Sequence, residues 1–212
     1  MAEGKIILVE GISNSGKTTL CKYMRERDGY TVVPEAIRYL ERRLDAPGDD
    51  ILNVPQSREQ EIRNQDILFD LEFEKLFDAN YRIKHGQNVV IDKSAYSIVA
   101  TAYAFRKRGL VPDAYELAEK RFLKFWDKVH EYHLRLPDCN LLLRADAEKS
   151  QQRNLSRSHM LRSVWTEEST RSGQETSLEE QFSRLGNSAV LLETTGLSPE
   201  EVYKMATAAI RD

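Results

Sequence analysis

Cysteine is almost absent from this chain of 212 residues: Cys21 and Cys139 are the only two, and they lie far apart. That excludes a disulfide-stapled scaffold and any thiolate metal spacing, and it fits reduced, buried thiols in a cytosolic protein. No apolar run approaches the roughly 20 residues that a membrane-crossing helix needs. The first apolar strand begins within a few residues of Met1 and leaves no room for a signal peptide, so the expected location is cytoplasmic. There is no excess of positive charge either. Lys and Arg total 31 against 34 Asp and Glu, for a formal net charge of -3. No broad basic field exists to hold nucleic acid or an anionic membrane, and neither is expected as a partner. Any basic cluster must be local, and local basic clusters usually serve a small anion.

Short apolar runs alternate with helical patterns. Runs of the kind found in buried parallel strands occur at Lys5–Glu10, Tyr30–Val33, Asn88–Ile91, Cys139–Leu143 and Ala189–Glu193. Between them, amphipathic spacing predicts helices, including one long helix from Ser57 to Lys84 that His85 and Gly86 stop. Strand-helix alternation implies right-handed crossovers. The expected fold class is α/β: a parallel five-stranded sheet with helices on both faces. No internal repeat or interdomain linker is visible, so residues 1–212 read as one domain. Ser156–Thr176 is polar, rich in Arg and Ser and short of apolar periodicity; it reads as part of a mobile lid at about residues 153–176.

Gly11, Ile12, Ser13, Asn14, Ser15, Gly16, Lys17 and Thr18 match the phosphate-loop pattern G-x-x-x-x-G-K-[ST]. A strand before it and a helix after it, the context that a true match needs, are both expected here. Gly11 and Gly16 allow the backbone to curl its N–H groups around phosphates, with Ser13, Asn14, Ser15 and Thr19 completing the cradle. Lys17 is expected to neutralise the β/γ-oxygens of ATP, and the Thr18 hydroxyl to ligate Mg2+. Asp92 closes Val89-Val90-Ile91 at a strand's C-terminal end, where open α/β sheets place their ligands, and is the second candidate magnesium residue. No Asn-Lys-x-Asp segment exists, which excludes a guanine-reading GTPase.

The stretch EGISNSGKTT from Glu10, the triplet Asp92-Lys93-Ser94 and the arginines after the fourth strand resemble the thymidylate kinase and deoxynucleoside kinase family. Val32-Val33-Pro34-Glu35 and the helix Leu178–Leu185 are similar to deoxynucleoside kinases in particular. The resemblance implies an ATP- and Mg2+-dependent kinase whose acceptor is a small, nucleoside-like molecule. It implies Glu35 as general base and Arg153 and Arg157 as lid cations, the latter two sharing a helix face at four-residue spacing. Gln65, Lys93 and Arg38 are the candidate acceptor-binding residues.

The sequence departs from the family at identifiable places. Lys93 stands where arginine is usual, and loses bidentate phosphate binding. Glu72 and Ile98 occupy positions where deoxynucleoside kinases carry an arginine and an aspartate, so the base clamp is absent or rebuilt. Val33-Pro34-Glu35 lacks the arginine that thymidylate kinases place there. Two alternatives therefore stand beside a nucleoside-type kinase: a kinase of another small hydroxyl compound, and a nucleotide-dependent regulatory module with slow hydrolysis. A homodimer through the long helices is left open.

Overall fold

The computed structural model describes residues 3–40, 51, 53–155 and 163–211. Strands β1 (Ile6–Glu10), β2 (Thr31–Val33), β3 (Val89–Asp92), β4 (Cys139–Arg144) and β5 (Ala189–Glu193) form one sheet in the order β2-β3-β1-β4-β5. Every neighbouring pair is parallel. Parallel strands need crossovers, and helices supply them. These are α1 (Lys17–Asp28), α2 (Ala36–Leu40), α3 (Arg58–Lys84), α4 (Ala95–Lys107), α5 (Ala114–Glu131), α6 (Ala147–Leu155), α7 (Glu168–Ser183) and α8 (Pro199–Arg211). Among the described residues no helix is long and apolar enough to cross a membrane.

Side chains of a strand alternate between faces, and the sheet divides the apolar core accordingly. Ile6 and Leu8 of β1 join Val89 and Ile91 of β3 beneath α3, α4 and α5. Ile7 and Val9 join Val90, Leu141 and Leu143 on the other face, under Leu20 and Met24 of α1 and Val202 and Ala206 of α8. All five residues of β1 are buried, as a central strand covered on both sides requires. Register then brings the functional ends level. Val9 lies opposite Asp92 on β3, and Glu10 opposite Leu142 on β4.

The long helix α3 starts where expected, with the Ser57 hydroxyl accepting from Gln60 N at 3.1 Å. Glu59 and Glu61 occupy its first turn and Arg82 and Lys84 its last, matching the helix dipole. The polar stretch is not loop throughout: α7 is helical from Glu168, ten residues before the expected Leu178 start. It packs on α4 through its smallest residue. A Cβ on Gly173 would sit 2.9 Å from Ala104 Cα, so only glycine permits this approach. Residues 168–176 of the expected lid are thus part of a packed helix.

Candidate active site

The loop between β1 and α1 takes the shape the glycines allow. Gly11 has φ +142 and a Cβ there would meet Leu143 O at 2.3 Å, so β4 passes too close for any side chain. Asn14 (φ 64) and Gly16 (φ 106) are also left-handed. Three successive carbonyls are tied on the loop's outer side. Ser13 O accepts from Ser150 Oγ (3.1 Å), Asn14 O from Arg153 Nη1 (3.0 Å), and Ser15 O from Thr194 Oγ1 (3.1 Å). In a planar trans peptide the N–H points opposite to the carbonyl, so the N–H groups of Asn14, Ser15 and Gly16 face away from these braces, that of Ser15 donating to Ile12 O at 3.3 Å. Helix α1 follows at once, with no acidic residue in its first turn and, among the described residues, no capping side chain. Its free N–H groups and dipole make an anion site. Thr19 is exposed in this first turn.

Lys17 is buried and arches over the loop, donating to Ile12 O at 2.7 Å. Burial, and then the nearby Lys93, lower its pKa from 10.5 to about 8. The Thr18 hydroxyl donates to Asp92 Oδ2 at 2.9 Å, while Asp92 Oδ1 is buried with no partner. A hydroxyl and a carboxylate oxygen in want of a positive partner, beside a phosphate loop, fit magnesium, which takes one or two protein oxygens and completes its shell with phosphate and water. No cluster of three or more His, Cys, Asp or Glu with metal-binding geometry exists among the described residues. A magnesium held largely by phosphate needs none.

Beyond the loop opens a cavity of about 260 Å³. Its lining begins with Gly11, Ile12 and Ser13, passes Glu35 and Lys93, and continues along α3 and α4. Glu35 and Lys93 form an ion pair at 3.1 Å. Lys93 is the largest cause of a Glu35 pKa lowered from 4.5 to about 2, with burial opposing. At Lys93, burial works against the charge, but Glu35 and Asp92 outweigh it and raise the pKa. Lys93 also has a left-handed backbone (φ 61), a conformation that costs a non-glycine residue energy and marks sites where position matters.

Two buried groups that sequence reasoning missed hold this turn. Lys75, fully buried on α3, donates to Asp92 O (3.2 Å) and Lys93 O (2.9 Å) and pairs with Glu72 at 2.9 Å. Glu10, also fully buried, accepts from Ser94 N (2.6 Å), Ser94 Oγ (2.9 Å), Ser97 Oγ (2.8 Å) and Gly11 N (3.2 Å). It ties the end of β1 to the first turn of α4. A charged residue closing an otherwise apolar strand run was the available signal for Glu10. Nothing in the sequence marked Lys75.

The other expected site residues fall unevenly. Gln65 is buried in the cavity wall. Arg38 is exposed and is not among the described residues that line the cavity; its backbone N–H donates to Glu35 O at 2.9 Å. Arg153 lies against the loop. Its guanidinium spans Asn14 O and Thr194 O (3.2 Å) and braces the loop from outside. Arg171, in the same stretch, is buried and donates to Ala147 O at 3.0 Å, anchoring the turn before α6. Arg157 lies outside the described residues.

No protein-family model and no curated protein matches the sequence. Solved structures do match, at identities that speak for the fold alone. A thymidylate kinase from Candida albicans superposes with a TM-score of 0.72 at 14% identity, over 100% of this chain and 92% of that one. A deoxyadenosine kinase from M. mycoides with bound dATP gives 0.71 at 13%, over 97% and 99%. A sugar kinase from Janibacter sp. HTCC2649 gives 0.57 at 17%, over 98% and 95%. The fold is that of a P-loop kinase. It is the fold shared by this thymidylate kinase and this deoxyadenosine kinase.

Proposed function

We propose that the chain is an ATP-dependent phosphotransferase that moves the γ-phosphate to a hydroxyl of a small molecule held in the cavity. One observation carries this reading: a single cavity is lined at one end by the phosphate loop and Glu35, and extends past them into a space for an acceptor. Glu35 is ionised at neutral pH and accepts the acceptor's O–H proton as its oxygen bonds to the γ-phosphorus. The bond from that phosphorus to the β-γ bridging oxygen breaks, and ADP leaves. Lys17 and the inward N–H groups offset charge on the oxygens, and Lys93, its partner now engaged, faces the transferred group. Thr18 and Asp92 would hold magnesium, which supplies further charge neutralisation there.

A monophosphate acceptor is poorly served. Among the described lining residues no arginine is present, and the one lysine is paired with Glu35. The test is an ADP-release assay across nucleosides, nucleoside monophosphates and other alcohols, with wild type and Glu35→Gln. Acceptor-dependent turnover that falls roughly 10²- to 10⁴-fold in the variant, with ATP binding unchanged, is expected. ADP release indifferent to every acceptor would favour a slowly hydrolysing regulatory module instead.

A further inference from the structure

Among the described residues, four charged side chains line the cavity: Glu35, Glu61, Glu72 and Lys93. Glu35 is matched by Lys93, and Glu72 by Lys75 behind it. Glu61 remains. It is 5% exposed and forms no ion pair among the described residues. The nearest further charges lie in pairs of their own, Arg121 with Asp66 and Asp113 with Arg58.

Asn64 and Gln65 stand three and four residues on, on the same face of α3, and are 3% and 2% exposed. Gln65 has spent both its N–H donors, on Glu61 Oε1 at 2.5 Å and Ala114 O at 2.9 Å. That fixes the amide's orientation and leaves its oxygen. Gln65 Oε1 and Asn64 Oδ1 are both buried with no partner among the described residues. Buried polar atoms normally find partners, and a buried carboxylate normally finds a cation. Here a carboxylate and two amide oxygens, all acceptors, wait on one stretch of cavity wall.

Nucleobase edges offer acceptors as well as donors, and an Asn or Gln reads adenine by donating and accepting together. Gln65 has no donor left to give. A protonated amine, by contrast, has three donors, no acceptor and a positive charge. We propose that the phosphate acceptor is an amine-bearing alcohol, such as an amino sugar or amino alcohol, whose ammonium group is received by Glu61 with the oxygens of Asn64 and Gln65. This rests on the phosphotransferase reading above. Burial raises the empty Glu61 carboxyl to about 7, and an adjacent ammonium would return it to the anion.

The experiment compares matched pairs, glucosamine with glucose, galactosamine with galactose and 3-aminopropanol with propanol, alongside the nucleosides. kcat/KM is read from ADP release, and binding by calorimetry in the absence of ATP. The amine members are expected to be preferred at least about tenfold, the worth of one charge-assisted hydrogen bond. Glu61→Gln should collapse that preference to within about threefold without changing the ATP KM, and Glu61→Asp should restore part of it. A neutral member or a nucleoside performing as well as the amines overturns the inference, as does a Glu61→Gln loss equal for both members of a pair. If ADP release ignores every acceptor, the phosphotransferase reading fails, and calorimetry still decides the amine site. Amine binding lost in Glu61→Gln supports it, and no amine binding to wild type overturns it.

Discussion

Replacing Lys93 by methionine isolates the electrostatics of the proposed base. The side chain keeps its length and loses its charge, and the left-handed backbone at φ 61 is no harder for methionine than for lysine. Two unit charges 3.1 Å apart attract by about 5 kcal/mol at an effective dielectric of ~20. Lys93 and Glu35 are 27% and 38% exposed, and solvent screening reduces that figure. What remains is expressed in the Glu35 pKa, held at about 2 against an ordinary 4.5 with Lys93 as the largest cause. Without Lys93, burial pushes upward against the weaker pull of Lys17 and Lys75, and the carboxyl returns towards 4.5. A depressed carboxyl is ionised across the working range and is lost only as pH falls through its folded value. At pH 4 the wild-type carboxylate is therefore about 99% ionised, whereas a group near 4.5 is only about one quarter ionised. Between pH 7 and pH 4 the acceptor kcat/KM of Lys93→Met should fall about fourfold more than that of wild type, because the titration of Glu61, raised to about 7, is common to both. The measurement is a pH series at constant ionic strength, with circular dichroism to confirm the fold at each point. Absolute rates will drop if Lys93 also faces the phosphoryl group, but the shape of the profile is independent of that. Superimposable acid limbs would mean that Glu35 ionisation does not govern the rate, and the base assignment would fail.

Asp92→Asn keeps an acceptor for Thr18 but removes the charge, so the magnesium concentration for half-maximal rate should rise tenfold or more; an unchanged titration would make Asp92 purely structural. Lys75→Met strands Glu72 in the interior and should cost about 3–5 kcal/mol in urea unfolding at pH 8, with most of it recovered in the double variant Lys75→Met/Glu72→Leu. Burial already raises Glu72 to about 7. A carboxyl raised in the folded state keeps its proton below that value, so the Lys75→Met loss should shrink at pH 5; a pH-independent loss would contradict it. Gly173→Ala should destabilise by about 1–3 kcal/mol through overpacking against Ala104, read as a lower melting temperature.

The strands and the phosphate loop were legible because each is a local signal. Apolar runs such as Lys5–Glu10 declare themselves, and a loop that must curl around phosphate restricts its residues one by one. Helix α7 was not legible, because it is held by what it lacks. Its contact with α4 depends on the missing side chain of Gly173, and its buried positions include Thr170, Arg171 and Ser177, which read as solvent-facing. Arg153 lies on the expected helix, and its bonds to Asn14 O and Thr194 O could not be read from the sequence. Four-residue spacing shows a shared face and cannot show whether that face meets phosphate or the loop's own carbonyls. The Lys75–Glu72 pair is adjacent on α3, yet its target is the backbone after β3, a contact that only the folded sheet creates. Gln65 illustrates the same limit chemically. An amide on an amphipathic helix discloses its type, while the use of its two N–H groups depends on Ala114 O, 49 positions away.

The carboxylate of Glu10 has a consequence for how this molecule can change over evolution. By tying the end of β1 to Ser94 and Ser97, it makes the phosphate loop and the start of α4 one mechanical unit. The position of the loop relative to that wall of the cavity is therefore set by the fold itself. Helix α3 contributes Glu61, Asn64 and Gln65 to the lining, and none of these three bonds to Glu10. New acceptors can therefore be acquired by substitutions on α3 while the transfer geometry is inherited intact. Substitutions at Ser94 or Ser97 would disturb the transfer itself, whatever the acceptor. On the proposed reading, the residues that meet the acceptor are thus distinct from those that hold the transfer geometry.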